Sequence, residues 1–341
     1  MAASNPIRVN GGRITPFRSL SAMMRQARRN GQDPIAVVRA NSPLPEDAQT
    51  VIDKIILRDS LEELTLVDDL QEEGLVYPLS EWLGVPELYW SAGSEVGTPV
   101  RSMSPVTRRE NFKPDRTGFR LPIFCTSMEF SVEPREQAVS ERVGAPMDTA
   151  NVEQAIRREN EAIEDSFFYG AGEIVVSGNT VVGVLGAPNR HDHTYTGSEA
   201  LTAKTGEEIV AEAGAMLGLL ADDEQNGPIN WYVPPADHLY FATTDYKANS
   251  SDTILSRLQN IEAGGSRNLR VRKASRLKQT GQSVMIHMAS SVIQAVDGQQ
   301  PTHLSWEEGP FDVRHIIMSC VVPRVRTNYS GQSGIVVGNP S

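Results

Sequence analysis

The stretch DTANVEQAIRRENEAIEDSFFYG, residues 148–170, constrains the fold more strongly than any other part of the sequence. Its apolar residues recur at spacings of four or seven, which places them on one face of a helix: Val152, Ile156, Ile163 and Phe167. Asp148 or Thr149 offers a side-chain oxygen for the N-cap, and Gly170 can take the left-handed conformation that ends a helix. At a rise of 1.5 Å per residue, the pattern predicts a helix about 30 Å long.

Charged residues cover most of the rest of this helix. Four carboxylates crowd its second half: Glu159, Glu161, Glu164 and Asp165. Paired carboxylates can act as an acid and a base, but charge on an exposed helix is usually solvated or held in ion pairs. We therefore predict that the helix packs along a narrow apolar stripe and presents its other faces to water or to another polar surface.

A long β-hairpin is predicted before the helix, over residues 100–133. Phe119, Leu121 and Ile123 alternate with other residues, as in a strand with one buried face. After Phe124 the apolar positions move to the other parity, which predicts a bulge or bend in the same arm. Because a two-stranded hairpin is marginally stable alone in water, this one needs a second surface.

The remainder of the chain mixes helices and strands without regular alternation. We predict a hairpin that turns at residues 177–179 and a polar loop over residues 187–197. The two predicted helices are residues 205–223, opened by a capping box of Thr205 and Glu208, and residues 251–261, capped by Ser251 or Asp252. The predicted strands are residues 229–233, 268–277, 283–290, 291–296 and 312–327. This order indicates an α+β fold with mixed sheets.

Length and charge set further limits. The 341 residues suffice for about two domains. There is no apolar run of membrane-spanning length and no secretory signal at the start, and two cysteines without a disulfide framework fit a reducing cytoplasm. The net charge of −11 argues against a general nucleic-acid binder. Residues 1–41 nevertheless carry +6 and residues 42–75 carry −8, which predicts an extended N-terminal arm that contacts another surface; a solvated tail is the alternative.

The sequence carries no familiar catalytic signature: it lacks a phosphate-binding glycine loop, a nucleophile elbow and a C-x-x-C pair. His191, Asp192 and His193 could ligate a metal, but residues i and i+2 share a side only on a strand, and this segment is predicted to be a loop. His287 lies in an apolar strand, where a hydrogen-bonded core histidine is expected. We therefore assign no catalytic, metal-ligating or cofactor-binding residue.

Three features need a partner surface: the arm, the hairpin and the half-exposed helix. A basic cluster near the hairpin turn consists of Arg108, Arg109, Lys113 and Arg116. It could bind phosphate, but contact with acidic residues of a neighbouring subunit, or simple solubility of the tip, is the better explanation. Symmetric assembly of identical chains would supply the missing surfaces.

The order of these elements, an arm, a long hairpin and a charged helix ending in FFYG before GNTVVGVLGAPN, resembles the major capsid proteins of tailed bacteriophages. Their Hong Kong 97-type fold is shared with encapsulin nanocompartments, and the resemblance covers about residues 76–338. It implies an N-terminal arm over residues 1–75, an extended hairpin (E-loop) with its flanks over 76–135, a P-domain over 136–200 with a spine helix at about 148–170, an A-domain with a central mixed sheet over 201–320, and a C-terminal strand region over 321–341.

The resemblance implies a shell-forming protein of the virion, not an enzyme, that assembles in the host cytoplasm without a cofactor. Pentamers and hexamers would build an icosahedral head around double-stranded DNA, bound without sequence specificity. Scaffold, portal and decoration proteins are further candidate partners, and no membrane is involved. Two alternatives stay open: an encapsulin-like compartment shell around a protein cargo, and a cytosolic α+β enzyme with an unrecognised site.

The resemblance and the local charge together suggest where neighbouring subunits touch. We place these contacts at Arg108, Arg109, Lys113, Arg116, Arg157, Arg158 and Glu161. Some members of the family cross-link a hairpin lysine to an asparagine of a neighbour, and Lys113 would occupy that lysine position. Nothing else in the sequence supports a cross-link.

Overall fold

A computed structural model describes residue 24 and residues 27–40, 65–94, 115–132, 150–198, 200–247, 251–261, 269–309, 312–328 and 331–340. Its internal contacts divide the chain into two units. The first unit comprises residues 1–64, 125–163 and 298–321. The second unit comprises residues 65–124, 164–297 and 322–341.

The secondary structure mixes helices and strands, as the predicted α+β class requires. The helices are α1 Pro34–Ala40, α2 Thr65–Glu72, α3 Ala150–Tyr169, α4 Gly206–Asp222, α5 Pro235–Thr243 and α6 Ile254–Gln259. The strands are β1 Val76–Pro78, β2 Glu87–Gly93, β3 Arg116–Pro122, β4 Thr126–Val132, β5 Gly170–Val176, β6 Asn179–Val182, β7 His191–Thr194, β8 Ile229–Val233, β9 Arg270–Lys273, β10 Ser283–His287, β11 Ile293–Gly309, β12 Asp312–Val325 and β13 Ile335–Asn339.

The second unit is built around a mixed five-stranded sheet with the order β7–β13–β10–β8–β9. The outer pairs β7–β13 and β8–β9 are parallel, whereas the central strand β10 runs antiparallel to both of its neighbours. Every residue of β8 and β10 is buried. Both strands are rich in apolar residues without regular alternation, as is typical of strands that are covered on both faces of the sheet.

Successive side chains of β8 show how the two faces are covered. Trp231 points into a core shared with α4, α5 and α6, where its ring centroid lies 5.7 Å from that of Phe241. Tyr232 points the other way and meets the edge of Phe168, near the end of α3, at a centroid distance of 6.0 Å. Its hydroxyl donates a hydrogen bond to Asp69 Oδ2 of α2 over 2.7 Å.

The β2–β3 hairpin belongs to the second unit as well. Its strands are antiparallel, with Glu87 opposite Pro122 and Gly93 opposite Arg116. The base of the hairpin contributes Leu121 to a small apolar core that also receives side chains from β5, β6, β11 and β12. Nearby, β1 pairs in parallel with the start of β11.

The first unit contains a second sheet. In it β12 runs antiparallel to β4, from Val313 opposite Val132 to Ser319 opposite Thr126. β11 lies on the other side of β12, so β4 is the edge of this sheet among the described strands. A cross-strand stack holds the two strands together, because the ring of Phe130 lies 5.1 Å from that of His315.

The long helix is observed as Ala150–Tyr169, within the predicted range 148–170. Ile156, Ile163 and Phe167 are buried as the periodicity predicts. Gly170 follows with a φ of +84°, the left-handed conformation expected at the end. Asp148 and Thr149, the candidate caps, lie outside the described residues.

The hairpin prediction was wrong in its pairing. The apolar alternation does not continue through a bulge, because the chain leaves one sheet after Pro122 and joins another at Thr126. The partner of β3 is β2, which was not predicted, and the first predicted arm, residues 100–109, lies outside the described residues. A change of parity looks the same in sequence whether a strand bulges or changes sheets.

Some of the smaller predictions are confirmed and others are wrong. The hairpin turn at 177–179, the capping box at Thr205 and the strand at 229–233 are confirmed. Thr253, rather than Ser251 or Asp252, caps α6, since its hydroxyl accepts a hydrogen bond from the Ser256 N–H over 3.2 Å. The arm was predicted to be extended, but Pro34–Ala40 forms a helix in which Ile35, Val37 and Val38 are buried.

Candidate inter-subunit surface

Three of the predicted contact residues line one open groove in the first unit. The groove lies between β4 and the first half of α3 and encloses about 670 Å³. Its lining residues are Met128, Phe130, Ser131, Gln154, Ala155, Arg157, Arg158 and Glu161. Apolar side chains from the strand and charged side chains from the helix thus face the same space.

The helix wall of this groove carries the charge. Arg158 is 73% exposed in its side chain and lies 3.6 Å from Glu161, one turn away on α3. Arg157 is exposed as well, and Glu161 is half-buried. Because an exposed ion pair is screened by water, Arg158 and Glu161 contribute little to the stability of the helix itself. Both remain accessible to a charged partner.

The strand wall of the groove is more apolar. Met128 is an exposed large hydrophobic residue, 40% accessible, on the edge strand β4. Phe130 stacks on His315, whose neighbour His303 places Nε2 3.1 Å from His315 Nδ1. Burial lowers the pKa of His315 to about 4, so its imidazole stays neutral near neutral pH.

Of the other predicted contact residues, the structure describes only Arg116. It is exposed at the start of β3, in the second unit, and its backbone N–H donates to the side chain of Asp115 over 2.9 Å. Arg108, Arg109 and Lys113 lie outside the described residues. The contact role of this cluster stays a prediction.

The hairpin exposes much of its length. Residues 116–118 at the start of β3 are all exposed, and Tyr89 on β2 is 64% exposed. Its ring lies over Gly118, where a side chain would collide with the Tyr89 hydroxyl at 2.7 Å. Trp90 and Phe119 stack at a centroid distance of 5.8 Å. The base of the hairpin packs in the small apolar core, whereas Tyr89 and residues 116–118 are exposed.

Two carboxylates of α3 are buried, which the sequence did not predict. Burial raises the pKa of Glu159, in the first unit, to about 7. Burial also raises the pKa of Glu164, in the second unit, to about 8, although its Oε1 accepts a hydrogen bond from the Leu66 N–H over 3.1 Å. The prediction of a solvated carboxylate face is therefore wrong at these two positions.

The histidines of the segment 187–197 lie on a strand, so the predicted loop is wrong at its centre. In β7, His191 and His193 point to the same side, as the alternation of a strand requires. Each engages a carboxylate: His191 Nε2 lies 2.7 Å from Asp223 Oδ2, and His193 Nε2 lies 2.7 Å from Glu212 Oε2.

Glu212 is the centre of a buried network. Lys204 Nζ donates to its Oε1 over 2.5 Å, and the Thr196 N–H donates to the same oxygen over 2.8 Å. Burial alone would favour the neutral acid, but hydrogen bonds from Lys204, His193 and Thr196 outweigh it and lower the pKa of Glu212 to about 2. Such an anion with several fixed donors stabilises a fold and has no proton to give near neutral pH.

The described residues show little that would support other chemistry. No group of three or more histidines, cysteines, aspartates and glutamates in this part of the chain is arranged to hold a metal ion. His287 is a hydrogen-bonded core histidine as predicted, with Nδ1 2.8 Å from Gln225 Oε1. No described helix is both long enough and apolar enough to cross a membrane.

The sequence matches a family described as a family of unknown function (DUF6260) over residues 45–338. The chain belongs to this family. A search of curated proteins finds no match to this DUF6260 protein.

Solved structures reveal the fold of the DUF6260 protein. The capsid of Myoviridae phage XM1 matches with a TM-score of 0.62 and 11% identity, over 82% of this chain and 92% of the other. A virus-like particle from Pyrococcus furiosus matches with a TM-score of 0.57 and 14% identity, over 84% and 98%. The capsid of an empty GTA particle matches with a TM-score of 0.52 and 9% identity, over 79% and 89%. The chain has the Hong Kong 97-type capsid fold.

Proposed function

We propose that this protein is the major capsid protein of a tailed double-stranded DNA phage. Copies of the chain form pentamers and hexamers, and these close into an icosahedral head that encloses the genome. The chain acts as a structural protein of the virion rather than as an enzyme. Scaffold, portal and decoration proteins are its further partners, and assembly takes place in the host cytoplasm.

The similarity to the phage XM1 capsid carries this proposal. It extends over 82% of this chain and 92% of that chain, so it spans nearly all of a protein that forms a shell. Within this proposal, the β2–β3 hairpin corresponds to the E-loop, α3 to the spine helix of the P-domain, and the five-stranded sheet to the core of the A-domain.

The surfaces of the protomer fit a role in assembly. The groove of the first unit combines exposed Met128 with the charged side chains of Arg157 and Arg158. Interfaces between subunits commonly combine an apolar centre with a charged rim, and arginine is enriched in them. The exposed face of the hairpin around Tyr89 and Arg116 is the second contact in this proposal, and the basic arm of residues 1–41 is a third.

A compartment shell around a protein cargo is the second candidate. The observation that favours it is the match to the Pyrococcus furiosus virus-like particle, which covers 98% of that chain. The contents of particles purified from the natural source distinguish the two functions. A phage head holds nuclease-protected double-stranded DNA, whereas a cargo compartment holds a stoichiometric protein and little nucleic acid.

Assembly is tested with full-length protein by sedimentation velocity and negative-stain electron microscopy. We expect capsomers or closed shells tens of nanometres across, the usual scale for such particles. The Arg158→Glu variant reverses one charge of the groove and should reduce the particle fraction at least tenfold without lowering the thermal midpoint of the protomer. The Arg158→Lys variant keeps the charge and serves as the matched control.

Equal assembly of the Arg158→Glu and wild-type proteins would remove the groove from the interface. The shell function itself would be contradicted by a soluble monomer or dimer, with and without co-expressed neighbouring genes, that protects the hairpin amides from hydrogen exchange. Such a protomer would have no need of a neighbour.

A further inference from the structure

The two cysteines of the chain follow directly on the last pair of the β4–β12 ladder, in the first unit. In the antiparallel ladder between β4 and β12, Ser319 is paired with Thr126. Continuing this register by one residue sets Cys320 opposite Cys125. Side chains of directly opposed residues leave the sheet on the same face. The two sulfur atoms are accordingly within hydrogen-bonding reach of each other, and neither is in a disulfide.

Extended by one residue, the register of the ladder brings the two backbones to a separation that a disulfide can span. Opposed residues of an antiparallel ladder have Cα atoms about 4.5–5.5 Å apart. Disulfides join residues whose Cα atoms are about 4.4–6.8 Å apart. The distance set by the ladder falls within this range, so a bond between Cys125 and Cys320 requires side-chain rotation and no rearrangement of the strands.

The two thiols differ in access, which gives them different roles in oxidation. Cys125 is exposed at the start of β4, whereas Cys320 is buried within β12. The hydrogen bond with Cys320 lowers the pKa of the Cys125 thiol, against the opposing effect of partial burial. An accessible thiol with a lowered pKa is the one that attacks a dissolved disulfide, because the thiolate is the nucleophile.

We propose that Cys125 and Cys320 form an intramolecular disulfide when the protein meets a small-molecule disulfide such as glutathione disulfide. The Cys125 thiolate attacks one sulfur of the reagent, forms a mixed disulfide and expels one glutathione thiolate. Cys320 then loses its proton to solvent, attacks the Cys125 sulfur and expels the second glutathione. Two protein thiols are oxidised to one disulfide, and one small disulfide is reduced to two thiols.

The disulfide would link the start of the edge strand β4 covalently to β12. β4 is held in its sheet by β12, and its outer half forms one wall of the groove that contains Met128 and Phe130. The crosslink closes a loop of roughly 200 residues, a length at which the unfolded chain is strongly constrained. A reducing cytoplasm would keep both thiols reduced, whereas an oxidising exterior would favour the disulfide. This inference does not depend on the proposed shell function.

The test uses reduced, full-length protein incubated with glutathione disulfide, then alkylated and mapped by peptide mass spectrometry. We expect one linked peptide pair containing Cys125 and Cys320, loss of both alkylatable thiols, a thermal midpoint several degrees higher, and full reversal by dithiothreitol. Phenylarsine oxide, which bridges adjacent thiols, should bind one equivalent to the reduced protein and protect both cysteines from alkylation.

Single variants separate the two roles. Cys320→Ala should stop at the mixed disulfide on Cys125, and Cys125→Ser should leave Cys320 unmodified while the protein is folded. The inference would be overturned if the wild-type protein stopped at glutathionylated Cys125, or if it formed only crosslinks between protomers. It would also fail if both thiols stayed reduced while the urea-unfolded protein was oxidised. The wild-type map decides these points even if a variant fails to fold.

Discussion

The five-stranded sheet and the β2–β3 hairpin belong to the same unit but use their strands in opposite ways. In the sheet, Trp231 is fully buried and donates from Nε1 to Ser283 Oγ over 2.8 Å, and Ser283 Oγ lies 2.6 Å from the Tyr195 hydroxyl. In the hairpin, Tyr89 and Arg116 are exposed on strands that have only each other as ladder partners among the described residues. The sheet is stabilised by contacts within the protomer, whereas under the proposed shell function the exposed hairpin surface contacts a neighbouring copy.

The largest loss in the free energy of unfolding is expected when a buried side chain at the centre of the sheet is removed. Trp231→Ala removes a fully buried indole and leaves a cavity between β8 and the helices α4 and α5, so we expect a loss of about 3–5 kcal/mol in the free energy of unfolding. Urea denaturation followed by far-ultraviolet circular dichroism measures this loss. A loss below about 1 kcal/mol would mean that the sheet core repacks and is not the source of stability.

The buried network around Glu212 should show the next largest effect. Lys204→Met removes the cation from a pair whose two side chains are each only 4% exposed, and it leaves the Glu212 carboxylate buried without its cation. Breaking such a pair costs about 3 kcal/mol. Lys247→Met is the matched control, because its partner Glu207 is exposed, and it should leave the urea midpoint unchanged. Equal effects of the two variants would refute the distinction.

The buried carboxylate of Glu164 predicts a pH dependence. Its pKa is raised to about 8 in the folded chain from an ordinary value of 4.5, so the folded state holds a proton that the unfolded state has released. This contribution to stability is complete below pH 4.5 and is lost as the pH rises towards 8. The expected slope is at most about 1.4 kcal/mol per pH unit.

The variant Glu164→Gln isolates this contribution, because the amide cannot ionise but can still accept from the Leu66 N–H. At pH 5 the urea midpoints of the variant and the wild type should agree. At pH 8 the variant should be more stable by about 1–3 kcal/mol. Parallel pH profiles for the two proteins would show that Glu164 is not the titrating group.

The smallest effect on the protomer is expected in the hairpin. Tyr89→Ala removes an exposed ring and should change the free energy of unfolding by no more than about 0.5 kcal/mol. The same change should lower the yield of assembled particles, measured by sedimentation velocity, since an exposed aromatic side chain is a typical interface anchor. Either unchanged assembly or a large loss of protomer stability would contradict the proposed difference between hairpin and sheet.

The strongly periodic elements were predictable because their patterns are set locally. The stripe of Ile156, Ile163 and Phe167 and the capping box at Thr205 follow from the period of a helix and the chemistry of its ends. The α+β class and the mixed sheet followed from the order of such elements. The helix α5 was missed although Pro235 is its first residue, a position where proline is common in helices.

The features that were missed depend on contacts distant in sequence. In the sequence, Glu164 looks like the exposed charges around it. The Leu66 N–H that donates to it lies 98 residues earlier, so the contact has no local signal. The strand at His191 is fixed by its parallel pairing with Val336, which local periodicity does not reveal. Of the predicted contact residues, the groove unites Arg157, Arg158 and Glu161 because helical spacing places them together.

A cryo-electron microscopy reconstruction of the purified particle tests the division between sheet and hairpin most directly. We predict a closed shell of pentamers and hexamers in which the protomer sheet is unchanged and Tyr89 and Arg116 are buried against a neighbouring copy. A shell in which both side chains remain exposed to solvent in every copy would contradict this account. So would the absence of any particle when the protein is expressed together with the products of its neighbouring genes.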